Sequence, residues 1–134
     1  MTRNRPRAVK VKLPPKAFEI PALAFIIVFM ISDELIQKIK DRLVNGFHPQ
    51  RIILFGSQAR GTADDRSDVD LLVICRFRGK RIELMVEMTR ALIELDYAFD
   101  VVILRPEELE RDRDIPGTIG RYAYKEGKIV YEQS

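Results

Sequence analysis

The chain has 134 residues, room for one domain with a single core, so a multidomain enzyme is excluded. Hydrophobic residues make up 46% and charged residues 32%, which is the composition of a folding chain and not of a disordered one. Its single cysteine, Cys75, excludes an internal disulfide framework and a cysteine-based zinc cluster, and fits a reducing cytoplasm.

The formal charge of +3 is unevenly placed. Residues 1–16 hold Arg3, Arg5, Arg7, Lys10, Lys12 and Lys16 with no acid, which leaves the remainder at −3. A phosphate-backbone binder needs its cations on the folded surface, so direct nucleic-acid binding is not expected. The apolar run Ile20–Ile31, interrupted by Pro21, gives the start of the chain the outline of a signal peptide. It is shorter than the roughly 20 residues a spanning helix needs, and no small-residue cleavage site follows, so no membrane partner is expected. Residues 1–29 therefore read as a basic and apolar extension: upstream of a start at Met30, a peripheral arm, or a targeting element. Residues 30–134 read as the domain.

From Ser32 the pattern is helical, with Leu35, Ile36, Ile39, Leu43 and Val44 at three- and four-residue intervals and Gly46 just past the expected end. Arg51–Phe55 is a short β-branched and apolar run that stops at Gly56, as a buried strand does. Gln58–Arg60 can make one helical turn, and 61–67 is polar and turn-rich. Val69–Ile74 reads as a second strand. Ile82, Met85, Met88, Thr89, Leu92 and Ile93 mark the expected inner face of a helix ending near Asp96. Phe99–Leu104 is a third strand. Pro106 suits the first turn of a helix over Glu107–Glu110, and Pro116 and Gly117 are expected to begin another through Tyr124. Lys128–Glu132 is the last strand candidate. This order predicts an α/β (α+β) domain, helices packed on a small mixed sheet.

The chemistry concentrates in Gly56-Ser57-Gln58-Ala59-Arg60-Gly61 and Asp68-Val69-Asp70. Gly56 at a strand end permits a tight turn and close approach of backbone to a ligand. Ser57 adds a hydroxyl where backbone amides can hold phosphate oxygens. Asp68 and Asp70, two apart on an expected strand, project from one face. Two such charges roughly 5 Å apart repel by about 3 kcal/mol at an effective dielectric near 20, so the pair calls for a cation or a shared proton. Oxygen ligands suit Mg²⁺. Asp100 opens the third strand. If that strand lies beside the second, a third carboxylate joins the face, enough for two metal ions about 4 Å apart.

Taken singly, each feature is common: an Asp-x-Asp pair is usually a solvated strand edge, and a Gly-Ser pair is weaker still. Their conjunction resembles the nucleotidyltransferase superfamily that includes DNA polymerase beta, whose signature is Gly-Ser, ten residues, then Asp-x-Asp. Ser57 to Asp68 has that gap. The short length and the Gly-Ser-Gln-Ala-Arg-Gly and Ser-Asp-Val-Asp-Leu-Leu-Val wording are similar to the prokaryotic minimal nucleotidyltransferases, over about residues 32–132. The resemblance implies that Asp68, Asp70 and Asp100 bind the metals, two Mg²⁺ ions, with Asp100 as general base. It further implies that Gly56 and Ser57 hold the triphosphate of ATP and that Arg60 neutralises phosphate charge.

The implied reaction is attack of an acceptor hydroxyl on the α-phosphorus, with pyrophosphate leaving. A domain of this size has little surface left to enclose a second substrate, so a partner is expected. Minimal nucleotidyltransferases resemble antitoxins paired with all-helical HEPN ribonuclease toxins, which implies transfer of AMP to a tyrosine of the toxin. Two alternatives stand beside this reading: a non-catalytic module that masks its partner, and a small-molecule adenylyltransferase of the aminoglycoside-modifying kind. His48, beside Pro49, reads as structural or solvated and Cys75 as a buried apolar residue. Met85 and Met88 read as helix packing; Tyr97, Tyr122, Tyr124 and Tyr131 as packing or interface residues.

Overall fold

The fold is described from a computed structural model, which covers residues 21–56, 68–95 and 97–134, with side chains from residue 33 onward. Helix α1 runs over Pro21–Phe47. It passes through Ser32, Asp33 and Glu34, where the sequence reading opened a helix: no proline or glycine follows Pro21 until Gly46, so nothing interrupts the turns, and Pro21 itself is tolerated in a first turn. The other end also differs. Gly46 stays helical, and the left-handed residue that ends the helix is His48, at φ 52, whose amide donates to the Val44 carbonyl at 3.0 Å. Among the described residues no helix is long and apolar enough to cross a membrane.

Strands β1 (Arg51–Phe55) and β2 (Val69–Ile74) follow as expected. Helix α2 (Arg81–Ala91) continues into a 3₁₀ turn at Ile93–Leu95 and leads to strand β3 (Phe99–Leu104). Helix α3 is Pro106–Asp112, starting one residue before and ending two residues after the expected Glu107–Glu110. Helix α4 is Ile119–Glu126. It begins after Pro116 and Gly117 and not at them, because Thr118 is its cap: the Thr118 hydroxyl accepts from the Arg121 amide at 3.1 Å and donates to the Ile115 carbonyl at 2.8 Å. Strand β4 (Lys128–Glu132) closes the chain.

The four strands form one mixed sheet in the order β3-β2-β1-β4. β1 is antiparallel to both β2 and β4, and β2 is parallel to β3. Alternation along the strands sends two sets of side chains to opposite faces. Ile52, Leu54, Leu71, Val73, Val101 and Ile103 join Ile39 and Leu43 of α1 and Met88 and Leu92 beneath α2 in the larger core cluster. Each side chain fully buried there contributes about 1.5–3 kcal/mol. On the other face Ile53, Phe55, Leu72, Ile74 and Leu104 pack with Leu109 of α3 and Ala123 of α4. The α3–α4 approach is close: a Cβ at Gly120 would lie 2.9 Å from Asp112 Cβ.

The expected inner face of α2 needs correction. Met88 and Leu92 are fully buried and Met85 packs on the core, but Ile82 and Ile93 are 58% and 71% exposed. Ile82 lies six residues before Met88, about 120° around the helix from the buried stripe.

At the far end of β3 the elements are pinned by a charged network. Glu108 accepts both guanidinium nitrogens of Arg81 at 2.8 and 2.7 Å and the Arg105 amide at 2.7 Å. Arg81 also donates to the Ile103 carbonyl at 2.9 Å. Phe77 lies against both guanidiniums, with Arg81 5.4 Å and Arg105 3.9 Å from its ring centre. The hydrogen bond from Arg81 pulls the Glu108 carboxyl down to about 2. Cys75 is buried, and burial pushes its thiol up, as suits an inert core residue.

Candidate active site

The mixed sheet decides where the carboxylates meet. β1 is antiparallel to β2, so its C-terminal end lies at the same sheet edge as the N-terminal ends of β2 and β3. Gly56, Asp70 and Asp100 all stand at that edge. Asp70 is paired in register with Phe55 across β1 and with Asp100 across β3. Asp100 was expected to join the face if β3 lies beside β2, and the register meets that condition. Neighbouring strands are about 4.8 Å apart, so Asp70 and Asp100 are adjacent positions on one face. Asp100 is exposed and Asp70 half-buried. Asp68 is exposed and stands one residue before β2, not within it.

Gly56 is left-handed at φ 75, and the space where a side chain would sit is taken: a Cβ there would meet Asp70 Oδ2. Both constraints demand glycine. They also bring a bare stretch of backbone against a carboxylate, the arrangement in which a phosphate oxygen can approach amide and cation together. Ser57 and Arg60, the other two expected nucleotide-binding residues, lie outside the described residues, as does the turn expected at Gln58–Arg60.

Adjacent carboxylates beside a bare turn suit a hard divalent cation, because Mg²⁺ takes one or two carboxylates together with phosphate oxygens and water. Among the described residues no group of three or more His, Cys, Asp or Glu side chains converges as a metal cage. What the fold supplies is the Asp70–Asp100 pair with Asp68 nearby in sequence.

Tyr122, expected as a packing or interface residue, packs beside the site, a placement its own neighbours in sequence do not signal. Tyr122 of α4 meets Phe55 edge-on, ring centres 5.9 Å apart, next to the Gly56 turn. The available signal was Phe55 itself, whose period-two position puts it on the face of Asp70. Tyr124 stacks under the Arg113 guanidinium at 4.8 Å, and His48 is exposed, remote in the sheet from the carboxylate edge.

Comparison with known proteins agrees with this geometry. A Methanocaldococcus jannaschii protein named for an inferred protein adenylyltransferase activity is 39% identical over 111 residues, 77% of this chain and 71% of the relative. A crystal structure of a toxin–antitoxin with AMP-PNP has a TM-score of 0.58 at 25% identity, covering 74% of each chain. The MntA–HepT toxin–antitoxin structure shares the fold, with a TM-score of 0.52 at 22% identity over 74% of this chain and 71% of that one. The model of the polymerase beta nucleotidyltransferase family matches residues 37–134, which spans β1 through β4 and every carboxylate named above. With the Gly-Ser sequence and the paired aspartates on that span, the chain belongs to the polymerase beta nucleotidyltransferase family and is a nucleotidyltransferase.

Proposed function

We propose that this nucleotidyltransferase transfers AMP from ATP to a tyrosine hydroxyl of a helical HEPN-type ribonuclease toxin and so acts as its antitoxin. The observation that carries the reading is the register match of Asp70 with Asp100 beside the glycine-only turn. The relative named for protein adenylyltransferase activity and the toxin–antitoxin structure with AMP-PNP support the choice of nucleotide and acceptor.

Asp68, Asp70 and Asp100 are the residues that would hold Mg²⁺, two ions, which supply charge stabilisation on the transferred phosphate. Gly56 and Ser57 orient the triphosphate, and Arg60 offers a bidentate guanidinium to its oxygens. Asp100, the more exposed of the register pair, accepts the proton of the acceptor hydroxyl. The tyrosine oxygen forms a bond to the α-phosphorus as the bond to the pyrophosphate oxygen breaks. Helices α3 and α4 cover the far half of this sheet face, so a partner protein is the natural source of the acceptor and of water exclusion.

The test combines purified protein, Mg²⁺, α-labelled ATP and the product of the neighbouring gene. Label on a tyrosine of that product is the expected result. No label, together with failure to co-purify, overturns the reading. Asp68→Asn with Asp70→Asn should abolish neutralisation while leaving the complex intact. Unchanged neutralisation would point to masking, and label on a small acceptor without any second protein to a small-molecule enzyme.

A further inference from the structure

The sheet face opposite the carboxylates is covered by α1 and α2, and the outer side of α2 carries an unassigned surface. Ile82, Val86 and Ile93 are 58%, 44% and 71% exposed. Ile82, Glu83, Val86, Glu87 and Arg90 line a groove of about 300 Å³. The charges on it are ordered along the helix, Glu83 in the first turn, Glu87 just past the middle and Arg90 in the last turn. Glu87 and Arg90 stand at a spacing that allows an ion pair, yet among the described residues Glu83, Glu87 and Arg90 form none within their own chain. Glu94, the next acid, is already paired with Arg42 at 3.1 Å.

We infer that this face docks against the same face of a second copy of the chain, with the two α2 helices antiparallel about a two-fold axis near Met88. An isologous contact requires a self-complementary surface. The groove meets that requirement. With residue 88 opposite its own copy, Val86 lies beside the partner copy's Arg90, and Ile82 beside the partner copy's Ile93–Glu94 segment. Each Arg90 then falls between Glu83 and Glu87 of the other copy, so the two-fold axis makes the same charge contacts twice, while its alkyl stem covers Val86. A parallel arrangement would set acids against acids and Arg90 against Arg90. A foreign helix would need matching charges of its own; a second copy already has them.

An 11-residue helix is about 16 Å long, so one helix pair gives an interface at the small end of specific contacts. Half-dimerisation is therefore expected at roughly 10–100 micromolar. The Asp70–Asp100 face points away from this contact, so association leaves both nucleotide sites open.

Sedimentation equilibrium of the full chain, from micromolar to millimolar concentration, is the test. The unaltered protein should shift with concentration from its monomer mass toward twice that mass. Val86→Glu should remain monomeric, with unchanged circular dichroism and unchanged nucleotide binding. Glu87→Arg and Arg90→Glu should each weaken association about tenfold, and the double variant carrying both reversals should recover it. A monomer at the highest concentration overturns the proposal, as does dimerisation that persists in Val86→Glu. Failure of the double reversal to recover association overturns the antiparallel arrangement. None of these outcomes depends on transfer of AMP, so the proposed function stands or falls separately.

Discussion

The two faces of the sheet use the same strands for opposite purposes. On the face beneath α1 and α2, apolar side chains run the whole length of β1, β2 and β3 and are sealed by two helices. On the other face the apolar set stops short: Leu72, Ile74 and Leu104 pack under α3 and α4, while the positions toward the opposite edge carry Asp70 and Asp100. One β2 strand thus alternates between Leu71 and Val73, fully buried, and Asp70, half-buried. The sealed face supplies the stability that lets the open face keep two like charges side by side, an arrangement that costs free energy in the absence of a cation. Along β2 and β3 the carboxylates occupy the first open-face positions, and Leu72, Ile74 and Leu104 further along that face return to packing.

That separation can be broken from either side. The largest effect is expected at the carboxylates: Asp70→Asn or Asp100→Asn should lower the rate of nucleotide transfer by about a thousandfold or more. Thermal stability should hold or rise slightly as the repulsion is relieved, and a transfer assay paired with a thermal melt reads both. Leu71→Ala, one residue away on the sealed face, should do the reverse. It is expected to cost about 2–5 kcal/mol in urea unfolding while the folded fraction keeps its specific activity. Gly56→Ala crosses the boundary between the two classes, since its Cβ would meet Asp70 Oδ2 and its φ of 75 strains any side chain. A loss of about 1–2 kcal/mol together with a fall in activity is expected, the stability part read from the same urea curves.

The smallest effect lies in the Arg81–Glu108 network. The folded-state Glu108 carboxyl is lowered to about 2 from an ordinary 4.5, so its contribution is fully present above pH 4.5 and is lost as pH falls from 4.5 toward 2. Arg81 is 40% exposed and water screens the pair, so about 1 kcal/mol is expected. Glu108→Gln should flatten the dependence of the urea midpoint on pH between 5 and 2.5.

Much of this molecule was readable from the order of its residues. β1 to β4 are short β-branched runs bounded by turns, and their limits needed no tertiary information. The helix ends were harder. Gly46 carries the usual stop signal, yet the chain continued one residue past it and placed His48 in the left-handed position, because the connector to β1 is set by where Pro49 packs: Pro49 is fully buried. Ile82 and Ile93 were grouped by apolar spacing with the inner face of α2, and the rotation of α2 on the sheet leaves them outside. The adjacency of Asp70 and Asp100 depended on strand order, which no local pattern encodes. The Arg81–Glu108 contact joins residues 27 apart in a pattern with no periodic signature.

Strand β4 borders β1, which ends in the Gly56 turn. A chain without β4 keeps Asp68, Asp70 and Asp100 but leaves β1 at the sheet margin, its outward amides and carbonyls open to any passing strand. β4 is therefore what shields the strand that leads into the Gly56 turn. Removal of β4 should favour edge-to-edge association through β1.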